Sequence, residues 1–164
     1  MKIHFRHAFD CEPEELWDLL EDPDFSSLLE ERSQVRRIEL SREERGDIVV
    51  SVLECTSLHE LPGFARRVLG SSQLVYDQHS ELNRAEGTLA WSVVPRVIAD
   101  RVTASGQTRV FREGDQTIRE VHGEIEVRVR LVGSQLEALL KRLVERSYQN
   151  AADTMRELLA RRNG

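Results

Sequence analysis

Along residues 2–9, KIHFRHAF, the apolar Ile3, Phe5 and Phe9 fall on one side of a two-residue alternation, the beat of a β-strand. The following run, EPEELWDLLED, changes period. Leu16, Leu19 and Leu20 recur at helical spacing with Trp17 beside them, and Pro13 is suited to the first helical turn. Glu14 and Glu15 sit where the helix dipole favours negative charge. Asp22-Pro23 ends this helix, because the residue before a proline avoids helical geometry, and DFSSLLEER predicts a second short helix.

From residue 34 the two-residue beat returns. QVRRIELSREE and GDIVVSVLECTSL, separated by a turn at Arg45-Gly46-Asp47, predict a hairpin. ELPGFARRVLG, residues 60–70, breaks the alternation with a proline and two glycines and reads as a loop carrying a turn of helix. SSQLVYDQHS, GTLAWSVVP, RVTASGQTRVFRE and QTIREVHGEIEVRVRLV supply four more strands. With no helix placed to act as a parallel crossover, the seven strands predict an antiparallel sheet.

The stretch VRLVGSQLEALLKRL, residues 129–143, holds both periods: alternation up to Leu131, then helical spacing after Gly133. Ser134 and Glu137 match a capping box, predicting a helix start at Ser134. Leu136, Leu139, Leu140, Leu143, Ser147, Ala151 and Leu158 follow one stripe, which Val144, Tyr148, Ala152, Met155 and Leu159 widen. So broad an apolar face exceeds what a helix lying on a flat surface needs, and fits a helix held in a curved sheet.

A chain of 164 residues fits one domain, residues 1–164, able to bury roughly 70% of its unfolded surface without metals or disulfides. No repeat or low-complexity tract divides it. Cys11 and Cys55 form no metal-binding spacing and read as reduced thiols. The N-terminus lacks the apolar run of a signal peptide, and no segment approaches the ~20 apolar residues that span a bilayer, so a cytoplasmic protein is expected. A formal net charge of -6 argues against nucleic-acid binding. The acidic cluster CEPEELWDLLEDPDF reads as a solvated helix face.

The order of strand, two short helices, six strands and long C-terminal helix resembles the START-like (SRPBCC) superfamily, the helix-grip fold of the birch pollen allergen. The most specific local match is FDCEPEELWDLLEDPDF, residues 9–25: a strand ending in an aromatic, a Pro-Glu-Glu entry, an aromatic in the helix, then Asp-Pro and Phe. Within that superfamily the chain is similar to a bacterial group described only as a domain of unknown function. The resemblance implies an α+β helix-grip fold, with a seven-stranded curved antiparallel sheet wrapped around the C-terminal helix and a cavity between them. Superfamily members bind lipids, sterols, quinones or polyketides there, catalyse cyclisation or hydration, or serve as partner-binding modules. It supplies no catalytic residues and no cofactor.

Strand phase indicates which residues face such a cavity. In the last strand Val121, Gly123, Ile125, Val127, Val129 and Leu131 share the inward face, opposite His122, Glu124, Glu126, Arg128 and Arg130. The inward sets elsewhere are Val102, Ala104, Gly106, Thr108 and Val110; Leu89, Trp91 and Val93; and Leu74 and Tyr76. Small residues on the sheet opposite Ser147 and Ala151 predict space for a ligand; the alternative is a filled core in which they let the helix approach. The candidate lining set is Phe64, Leu74, Tyr76, Leu89, Trp91, Val127, Leu140, Leu143, Ser147, Tyr148 and Ala151. Phe64 reads equally as a gate or as a plug of the core, and Tyr148 as a ligand-orienting hydroxyl or a structural one.

Chemistry beyond binding has little support. His4 and His7 fall on opposite faces of a strand, His122 lies on the charged outer face, and His79 shares the face of Asp77. No histidine pair has HxH or HExxH spacing, so no metal site is expected. If Val49, Ser51, Leu53 and Cys55 face inward, His59 sits near the cavity rim, where a general base is one reading and a surface histidine the other. Cys55 shows no neighbour that would activate it, and GxSxG, GxGxxG and P-loop motifs are missing. The expectation is a non-catalytic carrier of a hydrophobic, lipid-like small molecule. Its alternatives are a cyclase- or hydrolase-type enzyme using the same cavity, and an interaction module with an apolar patch on the far flank of the C-terminal helix. The basic tail RELLARRNG reads as solvated fraying or as a contact for an acidic partner.

Overall fold

A computed structural model describes residues 1–164. The elements run β1 (Lys2–Phe9), α1 (Pro13–Leu20), α2 (Pro23–Ser33), β2 (Val35–Arg45), β3 (Ile48–Ser57), α3 (Gly63–Leu69), β4 (Val75–Asn83), β5 (Thr88–Pro95), β6 (Val102–Glu113), β7 (Gln116–Val127) and α4 (Gly133–Asn163). The strands form one antiparallel sheet in the order β1-β7-β6-β5-β4-β3-β2. The last strand therefore lies beside the first, and β2 is the far edge. This is the α+β helix-grip architecture, with two short helices between the first two strands.

Local chemistry explains the element ends. Glu12 and Glu15 form a capping box at the start of α1, and the Asp22 side chain caps α2 by accepting from the Asp24 amide at 2.8 Å. Gly46, Gly87 and Gly114 supply the positive φ of the turns between β2 and β3, β4 and β5, and β6 and β7. The segment after Leu61 folds into a regular helix of seven residues rather than a single turn.

At the C-terminal junction the structure departs from the alternation in the sequence. β7 ends at Val127, and Leu131, expected to face inward, is 99% exposed with a left-handed φ of 71°. A turn, not a continuous strand, delivers the chain into α4. The helix begins at Gly133, so Ser134 already lies inside the first turn and caps nothing. Glu137 reaches back instead to accept from the Val127 amide at 3.2 Å, tying the helix to the end of β7.

Two separate cores hold α4. One gathers Phe9, Leu16, Leu19, Phe25 and Leu29 around Ala151, Ala152, Met155, Leu158 and Leu159. The other gathers Ile3, Leu61, Leu69, Trp91, Val121 and Ile125 around Leu136 and Leu139. No α4 residue between Leu139 and Ala151 is fully buried, although the sequence stripe is continuous there. At ~1.5 Å per residue, that leaves roughly 16 Å of helix whose apolar residues, Leu140, Leu143, Val144 and Tyr148, are only partly buried at the edge of the second core. The helix packs chiefly against β7, β1 and α2, and much less against β2 to β5. The C-terminal arginines are ordered by pairing, Arg161 with Glu157 and Arg162 with Asp22 at 2.6 Å, and the helix runs regularly to Asn163 rather than fraying.

Candidate ligand-binding cavity

Between the face of β2 to β5 and the middle of α4 lies a cavity of about 660 Å³, within the range of small-molecule sites. Its wall is mostly hydrophobic. Of the candidate residues, Leu74, Tyr76, Leu89, Trp91, Leu140, Leu143, Ser147, Tyr148 and Ala151 line it. Phe64 and Val127 do not: Val127 is buried in the core around Leu136, and Phe64 packs against that core from α3. α1 and α2 add Trp17, Leu20, Phe25 and Leu29.

Of the small residues expected to leave space, Ala104 and Thr108 on the sheet and Ser147 and Ala151 on α4 do line the cavity, whereas Gly106 and Gly123 do not. Gly106 and Gly123 face each other across β6 and β7, but the indole of Trp91 occupies the room they leave. A Cβ on Gly123 would lie 2.8 Å from Trp91 Cζ2, and one on Gly106 would lie 2.5 Å from the same atom. These glycines seat the tryptophan.

β3 resolves an ambiguity that its apolar composition leaves open, since both of its faces are hydrophobic. Val49, Ser51, Leu53 and Ser57 line the cavity, and His59 lines it just beyond the strand end. Within the wall Ser51 and Ser80 share a hydrogen bond of 2.8 Å across β3 and β4. Cys55 lies in register beside Tyr76. Burial pushes the thiol and the phenol up, so neither ionises near neutrality and Cys55 has no activated nucleophile character. Cys11, also a free buried thiol, is pushed up to about 11 by burial and by Glu15.

Exposed members of the wall, among them Glu21, Glu39, Arg42 and Arg146, mark where the cavity opens, between the α1–α2 corner, β2 and the middle of α4. There Glu21 accepts from Arg42 at 3.1 Å and pairs also with Arg84, and these two arginines hold its carboxyl below the ordinary range despite partial burial.

The inner end carries the feature that the sequence reading passed over. Arg119 is in phase with Val121 and Gly123, and its side chain enters the cavity wall with only 8% of its surface exposed. The guanidinium lies 4.9 Å from the centre of the Tyr148 ring, which stacks on Phe5 at 5.0 Å. Nη1 is buried without a hydrogen-bond partner, and so is the Trp91 indole N–H. His7, opposite Arg119 in register, is pushed down by burial and by the charges of Arg119 and Arg156, which favours its neutral form. Burial raises the Tyr148 phenol, partly offset by the Arg119 charge and a hydrogen bond with Thr108. The signal for Arg119 was strand parity alone: a charged residue at an inward position of an otherwise apolar face.

On the opposite side of the sheet, register creates a cluster that chain spacing cannot show. His4 and His122 pair across β1 and β7, with rings stacked at 4.2 Å, and their Nε2 atoms lie 3.2 and 3.6 Å from one Glu120 oxygen. Three potential metal ligands thus meet where HxH and HExxH spacing gave no indication. Arg6 approaches the same carboxylate oxygen at 3.6 Å, so a cation already shares it. The large exposed apolar side chains are Ile38, Leu40, Val50, Leu58, Val94, Val97 and Leu131, and none lies on α4, where a partner-binding patch was expected. No helix is long and apolar enough to cross a membrane.

Solved structures share this architecture over nearly the full chain. TTHA0849 from Thermus thermophilus superposes with a TM-score of 0.68 at 13% identity, covering 94% of this chain and 97% of that one. The Zhui aromatase/cyclase from Streptomyces sp. R1128 gives 0.66 at 15% identity, covering 100% and 96%. Norcoclaurine synthase from Thalictrum flavum gives 0.63 at 14%, covering 98% and 86%. At such identities the likeness establishes a START-like fold and nothing of activity. No curated protein sequence matches significantly. The model of the family described as "Protein of unknown function (DUF2505)" matches residues 4–159, and the chain belongs to that family.

Proposed function

We propose that the protein binds a hydrophobic small molecule in the cavity between the sheet and the middle of α4, as a non-catalytic carrier or sensor. The observation that carries this reading is the incompletely buried middle of α4. A helix whose two ends are gripped by close-packed cores has an apolar central face turned to about 660 Å³ of open space. Protein interiors are normally filled, and empty apolar volume costs stability, so a cavity of this size is best explained by an occupant. Fold neighbours that are an aromatase/cyclase and a norcoclaurine synthase support a cavity of this kind as a place for small organic molecules.

The catalytic alternative rests on His59, which lines the wall. Its side chain has no hydrogen-bonded acid or base to orient it, and Cys55 and Tyr76 are held protonated, so binding without turnover is the better reading. Native mass spectrometry of the purified protein, followed by extraction, tests the proposal. A hydrophobic adduct released on denaturation is expected. A protein that stays free of adduct and takes up no apolar probe, such as Nile red, overturns it.

A further inference from the structure

A buried guanidinium is among the most expensive groups to leave unpaired. Taking it from water costs several kcal/mol unless an anion or a full set of acceptors replaces the solvent. In this fold the face of Tyr148 and the neutral His7 are what Arg119 meets, and no carboxylate lies within ion-pairing distance of it. The Tyr148 ring offers the cation its negative face but no lone pair for Nη1. The unpartnered Nε1 of Trp91, which also lines the cavity, is likewise a donor.

The charge of the cavity wall points the same way. The chain as a whole carries a formal charge of -6, yet the charged residues lining the cavity are four arginines (Arg37, Arg42, Arg119 and Arg146) against two glutamates (Glu21 and Glu39). An acidic protein has thus concentrated positive charge around its one large apolar cavity. Such a field draws anions inward.

We propose that Arg119 is an anion-binding subsite at the inner end of the cavity, and that the ligand is a hydrophobic molecule ending in a carboxylate. A single planar guanidinium with a free Nη1 matches the two oxygens of one carboxylate. The other arginines of the wall stand on β2 (Arg37 and Arg42) or are exposed on α4 (Arg146), which leaves a single guanidinium, suited to a monoanionic head group. The apolar body of the ligand then lies along Leu140, Leu143 and Val144 towards the opening. This assignment rests on the cavity-binding reading and adds the head-group chemistry to it.

The test compares ligands that differ only at the head. Dodecanoate and dodecanol are titrated into the delipidated protein by displacement of Nile red, with the wild type and Arg119→Met measured side by side. The wild type is expected to prefer dodecanoate by about ten-fold or more, equivalent to ~1.4 kcal/mol, and the ratio should collapse towards one in Arg119→Met. Reading the ratio removes any general weakening of the variant, and the wild-type ratio decides the matter if the variant fails to fold. Equal affinities in the wild type, or a preference that survives in Arg119→Met, overturn the subsite while leaving cavity binding intact. A wild type that binds neither Nile red nor either chain overturns the cavity reading and this assignment with it.

Discussion

If Arg119 is kept for a ligand rather than for the fold, removing it should stabilise the empty protein. The perturbation is Arg119→Met, which retains an unbranched apolar stem of similar reach and deletes the charge. Two terms oppose each other. Losing the guanidinium from the face of Tyr148, 4.9 Å away, costs about 0.5–2 kcal/mol. Relieving a charge that is 8% exposed and has a buried, unpartnered Nη1 returns more, since apolar replacement of buried ionic groups commonly gains ~1–4 kcal/mol. A net gain of about 1 kcal/mol is expected, which for a chain of this size raises Tm by roughly 2–4 °C. Urea denaturation and differential scanning calorimetry on delipidated protein measure it. Saturation with dodecanoate should reverse the order, because a ligand at ~100 times its Kd adds about 2.7 kcal/mol to the wild type. A fall in the stability of the empty variant would mean that the guanidinium holds the structure together, and the reasoning that makes it a site would fail.

Three further outcomes follow from the same geometry. Gly123→Ala forces a Cβ to within 2.8 Å of Trp91 Cζ2 and of the Ser105 carbonyl oxygen, and overpacking of this kind should cost about 1–3 kcal/mol in urea denaturation; a neutral result would show that the indole shifts freely. Ser147→Trp, on the incompletely buried middle of α4, places a ring in open space, so Nile red affinity should fall at least about ten-fold (~1.4 kcal/mol) while the denaturation midpoint hardly moves. Unchanged dye binding would place the probe elsewhere. His7 is lowered from 6.5 by burial and by Arg119 and Arg156, so the unfolded chain binds its proton more readily than the folded one. Its contribution is complete above about pH 6.5 and stability declines as pH falls below that; His7→Gln should flatten the decline between pH 6.5 and 5, and an unaltered pH profile would count against the burial of this ring.

Much of the fold was legible in the chain because periodicity reports local geometry and which face is buried. The alternation of KIHFRHAF and the helical spacing after Asp10 specify their elements without help from distant residues. The end of β7 was not legible: Val129 and Leu131 keep the two-residue beat, but the chain must turn to bring α4 back across the sheet, and that turn leaves Leu131 in solvent. The Ser134 capping pattern failed for a related reason, since the start of α4 is set by the tie from Glu137 to Val127. Gly106 and Gly123 were recognisable as an inward small pair, yet only the packed sheet shows Trp91 lying over them.

What the sequence by itself determined is the inventory: seven alternating segments, two short helices ahead of the second of them, and a final helix with an apolar face broader than a flat surface requires. What only the tertiary structure decided is where that face is left unfilled and what meets there. A stripe of leucines reads the same whether it is packed or bordering a void, because hydrophobicity records a preference for leaving water, not the distance to the opposite wall. The orphaned state of Arg119 and the meeting of His4 with His122 are likewise properties of register and curvature, which join residues more than a hundred positions apart.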